Sequence, residues 1–331
     1  MRLLRSMLFT PGNNVRMIRK TGTLGADAVI LDLEDAVPMA EKGTARGLVK
    51  GSIGQVGAGG SEVFVRVNAL ITELAAEDLE WTVQPGLAGI VLPKTESRED
   101  VLKTAKWIEE LERERGMESG GVGLVPLLET ARGVLNAKEI AAVSKRIIAL
   151  AFGAVDFTRD MGTSQSVEGT EIFYGQSHVA LVARAAGVLA IDSPCMDIAD
   201  KEKLVQEARR ARQLGFRGKL LIHPSQIEPV HQVFSPSEDE VAYARRVVAA
   251  FHQAEGQGLG AISLEGKMID IAVVRQAGEV LSWDEAITRK KLRGHLPQRE
   301  VGVEPPYMTH VNAPFAQNQM IMSPNGGCST K

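Results

Sequence analysis

The sequence predicts a (β/α)8 barrel, an α/β fold in which eight parallel strands are enclosed by helices. Apolar runs rich in branched residues alternate with stretches of helical periodicity between residues 6 and 223, at intervals of roughly 25 to 40 residues. A polar residue follows nearly every run, as expected where a barrel carries its chemistry at the carboxyl ends of its strands. A doubly wound open sheet is the alternative, but the count of eight runs favours the barrel.

The first four strands are short runs, each stopped by a turn or a polar residue. They occupy residues 6–10, 28–33, 63–67 and 89–92. Asn13 is the expected N-cap of the first helix, which the pattern extends to Gly25. Ser97, with Asp100 after it at the N3 position, predicts a capping box at the start of the helix that follows the fourth strand.

The fifth and sixth strands belong to the central segment of the chain, residues 122–160. An apolar run ends at Glu129, a helical stretch follows, and a second apolar run ends at Asp156. Strand, helix and strand in this order form a βαβ unit, so both carboxylates are expected at the same end of the sheet. Two carboxylates without a nearby His or Cys suit an oxygen-preferring cation such as Mg²⁺. The alternative is that one acid caps a helix and the other forms a salt bridge.

The last two strands, residues 188–191 and 219–222, end at Asp192 and His223. We therefore predict a catalytic barrel over residues 1–234. Residues 235–291 hold a long helix and a glycine-broken stretch followed by a short helix, and we expect an arm there that contacts a neighbouring subunit. Residues 292–331 hold several prolines and few branched apolar residues, and we expect an extended or partly disordered tail.

Composition excludes several classes of protein. The chain of 331 residues is 44% hydrophobic and 24% charged, as is ordinary for a globular protein. Its net charge of -3 gives no sign of a nucleic-acid partner or of an anionic membrane surface, and its apolar runs are too short to span a bilayer. Cys195 and Cys328 stand in no paired motif, and the first residues do not read as a signal peptide, so we expect a cytoplasmic location.

Charged residues accumulate at the predicted strand ends. They are Asp32, Glu34, Asp35, Arg66, Lys94, Glu129, Asp156, Asp192 and His223. Acids together with arginine and lysine at one mouth indicate a metal site that also binds a carboxylate or keto-acid substrate. Arg66 suits a two-pronged bond to a substrate carboxylate, or a buried pair with Asp32 or Glu34. Lys94 could act as a Schiff-base lysine, although nothing indicates that it is desolvated, and His223 could simply cap its strand.

Two basic residues of the first helix, Arg16 and Lys20, lie one helical turn apart and therefore share a face. That face either binds phosphate groups or is simply solvated, and solvation is the default interpretation.

Nine segments give a more specific indication than any single residue. In chain order they are RSMLFTPGNN at 5–14, ADAVILDLEDAV at 26–37, VFVRVN at 63–68, VLPKTES at 91–97, VPLLET at 125–130, FGAVDFTRDMG at 152–162, AIDSP at 190–194, GFRGKLLIHPSQI at 215–227 and EGKMID at 265–270. With these segments the sequence resembles the citrate lyase β-subunit-like family of the HpcH/HpaI aldolase superfamily. It is similar in particular to the stand-alone lyases that cleave citramalyl-CoA or malyl-CoA.

The resemblance implies a Mg²⁺-dependent carbon–carbon lyase, with Mn²⁺ as an alternative ion. The substrate would be a short 3-hydroxy-dicarboxylyl-CoA, cleaved to acetyl-CoA and a 2-keto acid by reversible Claisen-type chemistry. Glu129 and Asp156 would be the metal ligands, and Arg66 would hold the keto-acid part of the substrate. Asp270 matches the catalytic acid/base of an arm that reaches the active site of a neighbouring subunit in a homotrimer or hexamer.

The resemblance also extends to residues around this set. Phe9, Arg16, Lys20, Ile222 and His223 match positions that contact CoA or substrate. Asp32, Glu34, Asp35, Lys94 and Asp192 are expected to support the reacting groups. The alternatives that stay open are the β subunit of a citrate lyase acting on a citryl thioester of a carrier protein, a thioesterase or malate-synthase-like enzyme, and a catalytically silent regulator.

Overall fold

The eight predicted apolar runs form one closed parallel barrel. A computed structural model describes residues 2–256 and 258–295. The strands are β1 (Ser6–Pro11), β2 (Ala28–Asp32), β3 (Glu62–Arg66), β4 (Leu87–Leu92), β5 (Gly123–Leu128), β6 (Ala149–Phe152), β7 (Leu189–Asp192) and β8 (Gly218–Leu221). Each strand pairs with the next in sequence, and β8 pairs with β1, so the predicted (β/α)8 barrel is confirmed.

Helices connect the strands and surround the barrel. They are α1 (Val15–Thr21), α2 (Lys42–Ala58), α3 (Ala75–Thr82), α4 (Arg98–Glu114), α5 (Ala131–Leu135), α6 (Ala137–Ala142), α7 (Ala154–Asp160), α8 (Thr170–Ala186), α9 (Lys201–Leu214), α10 (Ile227–Phe234), α11 (Glu238–Glu255) and α12 (Ile271–His295). Short 3₁₀ turns lie at Met39–Glu41, Leu70–Thr72 and Pro224–Gln226. None of the helices in the described part of the chain is both long and apolar enough to cross a membrane.

The core has two layers because each strand is buried on both faces. Inside the barrel, side chains such as Ile30, Phe64 and Val125 pack against one another. On the outer face, alternate residues such as Val29 and Leu31 pack against the helices. This double burial explains why the strands read as continuous apolar runs rather than as alternating patterns.

Three local predictions are wrong, and one is confirmed. Asn14, not Asn13, caps α1, since its side chain accepts a bond from the Met17 amide. The helix also ends at Thr21, before the predicted end at Gly25. Asp156 does not end a strand: β6 stops at Phe152, and the acid lies in the first turn of α7. The capping box that begins at Ser97 is present as predicted.

The C-terminal arm comprises α11, an antiparallel hairpin and α12. The hairpin strands, β9 (Ala261–Leu264) and β10 (Lys267–Asp270), are joined at Glu265 and Gly266, which both have positive φ as a tight hairpin turn requires. The prediction of a short helix here was wrong, because α12 extends from Ile271 to His295, past the predicted tail start at 292. Residues 296–331 of the predicted tail lie outside the described residues, and the division at residue 234 stays a prediction.

The far end of α12 lies against the amino-terminal end of the barrel. Trp283 and Ile287 pack on Leu3, and the Trp283 indole donates to the Phe234 carbonyl. The Lys290 ammonium reaches the Asp27 carboxylate at 3.0 Å, just before β2. The arm is therefore anchored at the end of the barrel opposite to the carboxyl ends of the strands.

Candidate active site

The carboxyl ends of β2, β3, β4 and β5 gather charged side chains at one end of the barrel, called the mouth below. Asp32 and Arg66 are the last residues of β2 and β3, and the two are partners in the strand register. Lys94 follows β4 and Glu129 follows β5. The parallel register therefore brings together residues that are far apart in the sequence.

Arg66 is fixed by a two-pronged bond to Asp32. Its Nε and Nη2 atoms donate to the two carboxylate oxygens at 2.7 and 2.6 Å, and its Nη1 lies 3.2 Å from Glu34. The guanidinium also stacks on the ring of Phe9, 4.6 Å from the centroid. Burial alone would lower the pKa of Arg66, but the charges of Asp32 and Glu34 raise it above its ordinary value. The buried pair with Asp32 and Glu34 is therefore present, and Asp32 accepts from only two of the five guanidinium N–H groups.

Lys94 connects two of the acids through different atoms. It is a non-glycine residue with φ of 48°, and in this conformation its amide donates to Glu129 at 2.8 Å. Its ammonium donates to Glu34 and lies 3.6 Å from Asp35. Burial lowers the pKa of Lys94, but the bond to Glu34 and the charges of the nearby acids raise it by more. The net pKa therefore lies above the ordinary value. A lysine held protonated is a poor nucleophile, so the geometry disfavours a Schiff-base role.

Glu34 lies between the two cations and is 5% exposed. Burial raises the pKa of Glu34, and the charges of Arg66 and Lys94 only partly oppose this. Its Oε2 is buried without a hydrogen bond of good geometry in the described structure. Behind it, the Lys42 ammonium donates to the carbonyls of Leu33 and Glu34, both at 2.6 Å, and so fixes the backbone where β2 ends.

Glu129 and Asp156 lie close enough to influence one another. Glu129 is 3% exposed, and burial, reinforced by the charges of Asp156 and Glu34, raises the pKa of Glu129 to about 8. Gly153 permits this arrangement, because an added Cβ would lie 2.6 Å from the Cβ of Glu129. Asp156 is more open and pairs with Arg159 at 2.6 Å on the same helix.

These two acids fit a magnesium ion better than a zinc ion. In residues 2–256 and 258–295, no three His, Cys, Asp or Glu side chains gather closely enough to hold a metal by themselves. Mg²⁺ commonly takes one or two carboxylates and completes its shell with water or substrate oxygens, whereas structural zinc needs four protein ligands. A bound cation would also offset the burial and the neighbouring acids that raise the pKa of Glu129.

The other predicted binding residues lie around this centre with varied exposure. Arg16 and Lys20 are exposed on α1, the helix that follows β1. Ile222 is half-buried just after β8, and its amide donates to the Gln226 side chain. His223 is exposed and caps the Pro224–Gln226 turn, which agrees with the interpretation that it caps its strand end.

Asp192 was expected to support the mouth, and the structure corrects this. Its carboxylate is fully buried and accepts bonds from Lys219 at 2.6 Å and from Gln176, on α8, at 2.7 Å. Lys219 also lies 3.3 Å from Glu207, on α9. The cluster therefore lies between the barrel and its outer helices, where it joins β7 and β8 to the helix layer.

Asp270 contacts its own arm in the described structure. The carboxylate accepts bonds from the amides of Ala272 and Val273, both at 3.0 Å, and so caps α12. The far end of this helix reaches the amino-terminal end of the barrel, away from Glu129. Nothing within a single chain brings this acid together with the mouth in the described residues.

Sequence reasoning missed two residues that shape the mouth. Lys42 appeared to be an ordinary residue of a helical run, because the carbonyls it binds become neighbours only after folding. Gly153 carried a usable signal, since a glycine directly after an apolar strand and shortly before an acid indicates close backbone approach.

The chain matches the model of the HpcH/HpaI aldolase/citrate lyase family over residues 5–224. The citrate lyase subunit beta of Escherichia coli K12 is 42% identical over 281 residues, which are 85% of this chain and 93% of that protein. The human mitochondrial citramalyl-CoA lyase is 33% identical over 296 residues, covering 86% and 87% of the two chains.

One solved structure adds ligands to the comparison. The CitE protein of Mycobacterium tuberculosis, crystallised with magnesium, acetoacetate and coenzyme A, is 33% identical. The match has a TM-score of 0.69 and covers 86% of this chain and all of that chain.

Proposed function

Because this chain belongs to the HpcH/HpaI aldolase/citrate lyase family, we propose that it is a Mg²⁺-dependent carbon–carbon lyase for a short 3-hydroxy-dicarboxylyl-CoA. The products would be acetyl-CoA and a 2-keto acid, which is pyruvate from a citramalyl-type substrate or glyoxylate from a malyl-type substrate. The observation that carries the proposal is the grouping of the Glu129–Asp156 pair with Arg66 at one mouth. The magnesium and coenzyme A bound by the CitE relative agree with it.

The chemistry assigned to each residue follows from the bond that breaks. Glu129 and Asp156 would hold the Mg²⁺ ion, which would supply positive charge where the keto oxygen of the product forms. Arg66 holds the carboxylate beside the substrate hydroxyl through the N–H bonds that Asp32 leaves available. Phe9 and Asp32 keep the guanidinium in one orientation, so the substrate meets a fork that is already in place.

The proton of the substrate hydroxyl must leave as the keto group forms. We assign this step to Asp270 of a neighbouring subunit, because the arm of one chain is anchored away from its own mouth. Exposed apolar residues beside Asp270, Met268 and Ile271, support a contact with a second copy. The enzyme would then be a homo-oligomer, a trimer or hexamer, with shared active sites. Arg16 and Lys20 would bind the phosphates of CoA at the rim.

A second candidate is the β subunit of a citrate lyase, acting on a citryl thioester of a carrier protein. The observation in its favour is the higher identity to the E. coli citrate lyase subunit beta, 42% against 33% for the human citramalyl-CoA lyase. Both candidates use the same mouth. They differ in the acyl group and in whether CoA or a protein carries it.

The test is a screen of malyl-, citramalyl-, methylmalyl- and citryl-CoA, each with Mg²⁺ and with EDTA. The keto acid and the thiol are measured in separate assays. Keto acid from one of the first three thioesters, lost with EDTA, is expected. Cleavage of the citryl thioester alone, and faster from a carrier protein than from CoA, would support the citrate lyase candidate. Free CoA without keto acid would indicate a thioesterase and reject the lyase proposal.

A further inference from the structure

Lys94 has no role in the reaction described so far, yet its side chain is the more exposed of the two mouth cations. We propose that Lys94 is a further catalytic residue, which donates a hydrogen bond to the thioester oxygen of the acyl-CoA while negative charge develops there. This inference rests on the proposed lyase function and concerns the half of the reaction that forms acetyl-CoA.

The reaction requires a donor at that position. When the bond between C2 and C3 breaks, the hydroxyl proton passes to the base, and C3 becomes the carbonyl carbon of the keto acid. The electron pair of the broken bond stays on the acyl fragment, which becomes an enolate with its charge on the thioester oxygen. A proton then adds at C2 and gives acetyl-CoA, so one proton leaves and one returns. Donors aimed at such an oxyanion are among the largest contributions to catalysis.

Arg66 is poorly suited to this second role. Two of its nitrogens are bound to Asp32 and the third lies beside Glu34, so only part of its planar fork remains. Its side chain is 13% exposed, against 28% for Lys94. A planar fork suits a carboxylate, whereas an ammonium acts as a point charge that suits a single oxygen. The two cations of the mouth therefore match the two different anionic groups of the reaction.

Lys94 also has a hydrogen-bonding capacity that its neighbours do not use up. An ammonium has three N–H donors, and Glu34 accepts one. The next oxygen, from Asp35, lies 3.6 Å away, which is beyond a hydrogen bond, and the side chain of Asp35 is 61% exposed. At least one N–H donor is thus left for a substrate, on a side chain that is 28% exposed.

The backbone places this donor in advance. The left-handed conformation, with φ of 48°, is unfavourable for lysine, yet it lets the amide bind Glu129 while the side chain binds Glu34. The backbone of Lys94 is thereby bound to Glu129, a proposed metal ligand, and its ammonium is bound to Glu34, which lies beside Arg66. A donor fixed before the charge develops needs little reorganisation during the reaction.

The test replaces the ammonium and then restores it chemically. Lys94→Cys is made with Cys328→Ser, because the other cysteine, Cys195, is buried. We expect kcat to fall about 100- to 1000-fold, with the KM for the acyl-CoA changed by less than about threefold. Alkylation with 2-bromoethylamine rebuilds an ammonium of nearly the same length and should restore most of kcat. Methylation of the same thiol leaves it neutral and should restore nothing.

Two controls separate the ammonium from the backbone and from side reactions. Lys94→Gly keeps the amide that binds Glu129, and glycine accepts the positive φ, so this variant should fold normally and be as slow as Lys94→Cys. Lys106→Cys, at a position 75% exposed on α4, should keep full activity before and after alkylation.

Three outcomes would overturn the inference. They are normal kcat in Lys94→Gly, equal rescue by the neutral methyl group, or a rise in KM with unchanged kcat. A wild-type enzyme that releases no keto acid from any thioester would instead reject the proposed function itself, so the two failures are distinguishable.

Discussion

At the scale of single residues, the mouth depends on charge that burial makes unfavourable. Glu129 is the extreme case, because desolvation and two neighbouring acids act together to raise the pKa of its carboxyl to about 8. An acid in this position is costly to ionise unless a cation accompanies it. The same feature that fits Mg²⁺ therefore makes the site sensitive to the removal of one charge.

We expect Glu129→Gln to lose Mg²⁺-dependent turnover by about 100-fold or more while keeping its fold. Mg²⁺ should raise the melting temperature of the wild type but not that of the variant, since only the wild type binds the ion. Asp156→Asn should behave alike. Glu139→Gln, an exposed acid on α6, is the control and should keep both responses. Near-normal activity of Glu129→Gln without added Mg²⁺ would contradict the metal assignment.

The exposed bases of α1 allow a prediction of a different kind. Arg16→Ala combined with Lys20→Ala should raise the KM for the CoA ester about tenfold or more, with kcat changed by less than about threefold. The reason is that phosphates remote from the reacting bond bind equally in the ground and transition states. Lys106→Ala, a surface lysine on α4, should change neither constant. An unchanged KM in the double variant would indicate that Arg16 and Lys20 are simply solvated and do not bind CoA.

At the scale of elements, the junction between β6 and α7 places the proposed metal ligands. The chain leaves β6 at Phe152, turns at Gly153 and begins α7 at Ala154, so the backbone passes directly against Glu129. The φ of Gly153 is -112°, which any residue can adopt. Only the close contact with Glu129 therefore requires a glycine here.

We expect Gly153→Ala to displace Glu129, because the new Cβ would lie 2.6 Å from the Cβ and 2.7 Å from Oε2 of that residue. Stability should fall by about 1–3 kcal/mol, and the Mg²⁺-induced rise in melting temperature should shrink. Gly54→Ala, in the middle of α2 with no atom within 4 Å of the added Cβ, should instead stabilise the protein slightly. Thermal unfolding of both variants with and without Mg²⁺ would test this, and a Gly153→Ala protein with a normal Mg²⁺ response would refute it.

The joint between α12 and the barrel is the second element-scale feature. Asp27 is fully buried and receives Arg5, Lys290 and, at 3.8 Å, His231 from α10. Burial raises the pKa of Asp27, but the cations Arg5, above all, and Lys290 leave it lower than its ordinary value. Burial lowers the pKa of His231 to about 4, and the charges of Arg5 and Lys290 lower it as well. The carboxylates of Asp27 and Glu228 raise it, but by less.

We therefore expect His231 to make stability depend on pH. Its pKa is 6.5 in the unfolded chain and about 4 in the folded one, so the unfolded chain binds more protons in between. The contribution of the neutral His231 to the free energy of unfolding is fully present above about pH 6.5. The free energy of unfolding falls by up to roughly 3 kcal/mol as the pH drops to about 4. The Ser6 hydroxyl lies 2.7 Å from Nε2 of His231, and His231→Gln, which keeps a polar group beside it, should flatten this slope. Urea unfolding at pH 4.5 and 7 measures it, and equal slopes in both proteins would show that another group is responsible.

At the scale of the whole molecule, the sequence was sufficient for the barrel but not for the arm. Runs such as the one ending at Asp32 are apolar throughout because both faces of the strand are buried. Eight such runs in one chain are compatible with few arrangements of strands, and the closed barrel is one of them. Glu129 was singled out in the sequence because a charge at the end of a buried strand is unusual, and the structure places it buried at the mouth. Asp192 had the same signal but pairs with Lys219, since a strand end does not reveal which face its last side chain occupies. The length of α12 was missed because its anchoring contacts at Leu3 are distant in sequence.

The arrangement of the arm leads to a test of the assembly. If Asp270 serves a neighbouring subunit, Asp270→Ala and Glu129→Gln should each be nearly inactive alone, because every site lacks one essential group. Mixed and allowed to exchange subunits, they should recover a substantial part of wild-type activity. Some sites then combine an intact metal pair from one chain with Asp270 from the other.

The control mixture is Glu129→Gln with Asp156→Asn. Both changes damage the same barrel mouth, so no exchange of subunits can assemble an intact pair, and activity should stay absent. Exchange itself is monitored by mass spectrometry of differently tagged chains, which separates failed mixing from failed complementation. If the first mixture exchanges fully and remains inactive, Asp270 does not act across a subunit boundary. Asp270 would then act on the mouth of its own chain or lie outside the site altogether, and in the second case the base must be sought among the acids of the mouth itself.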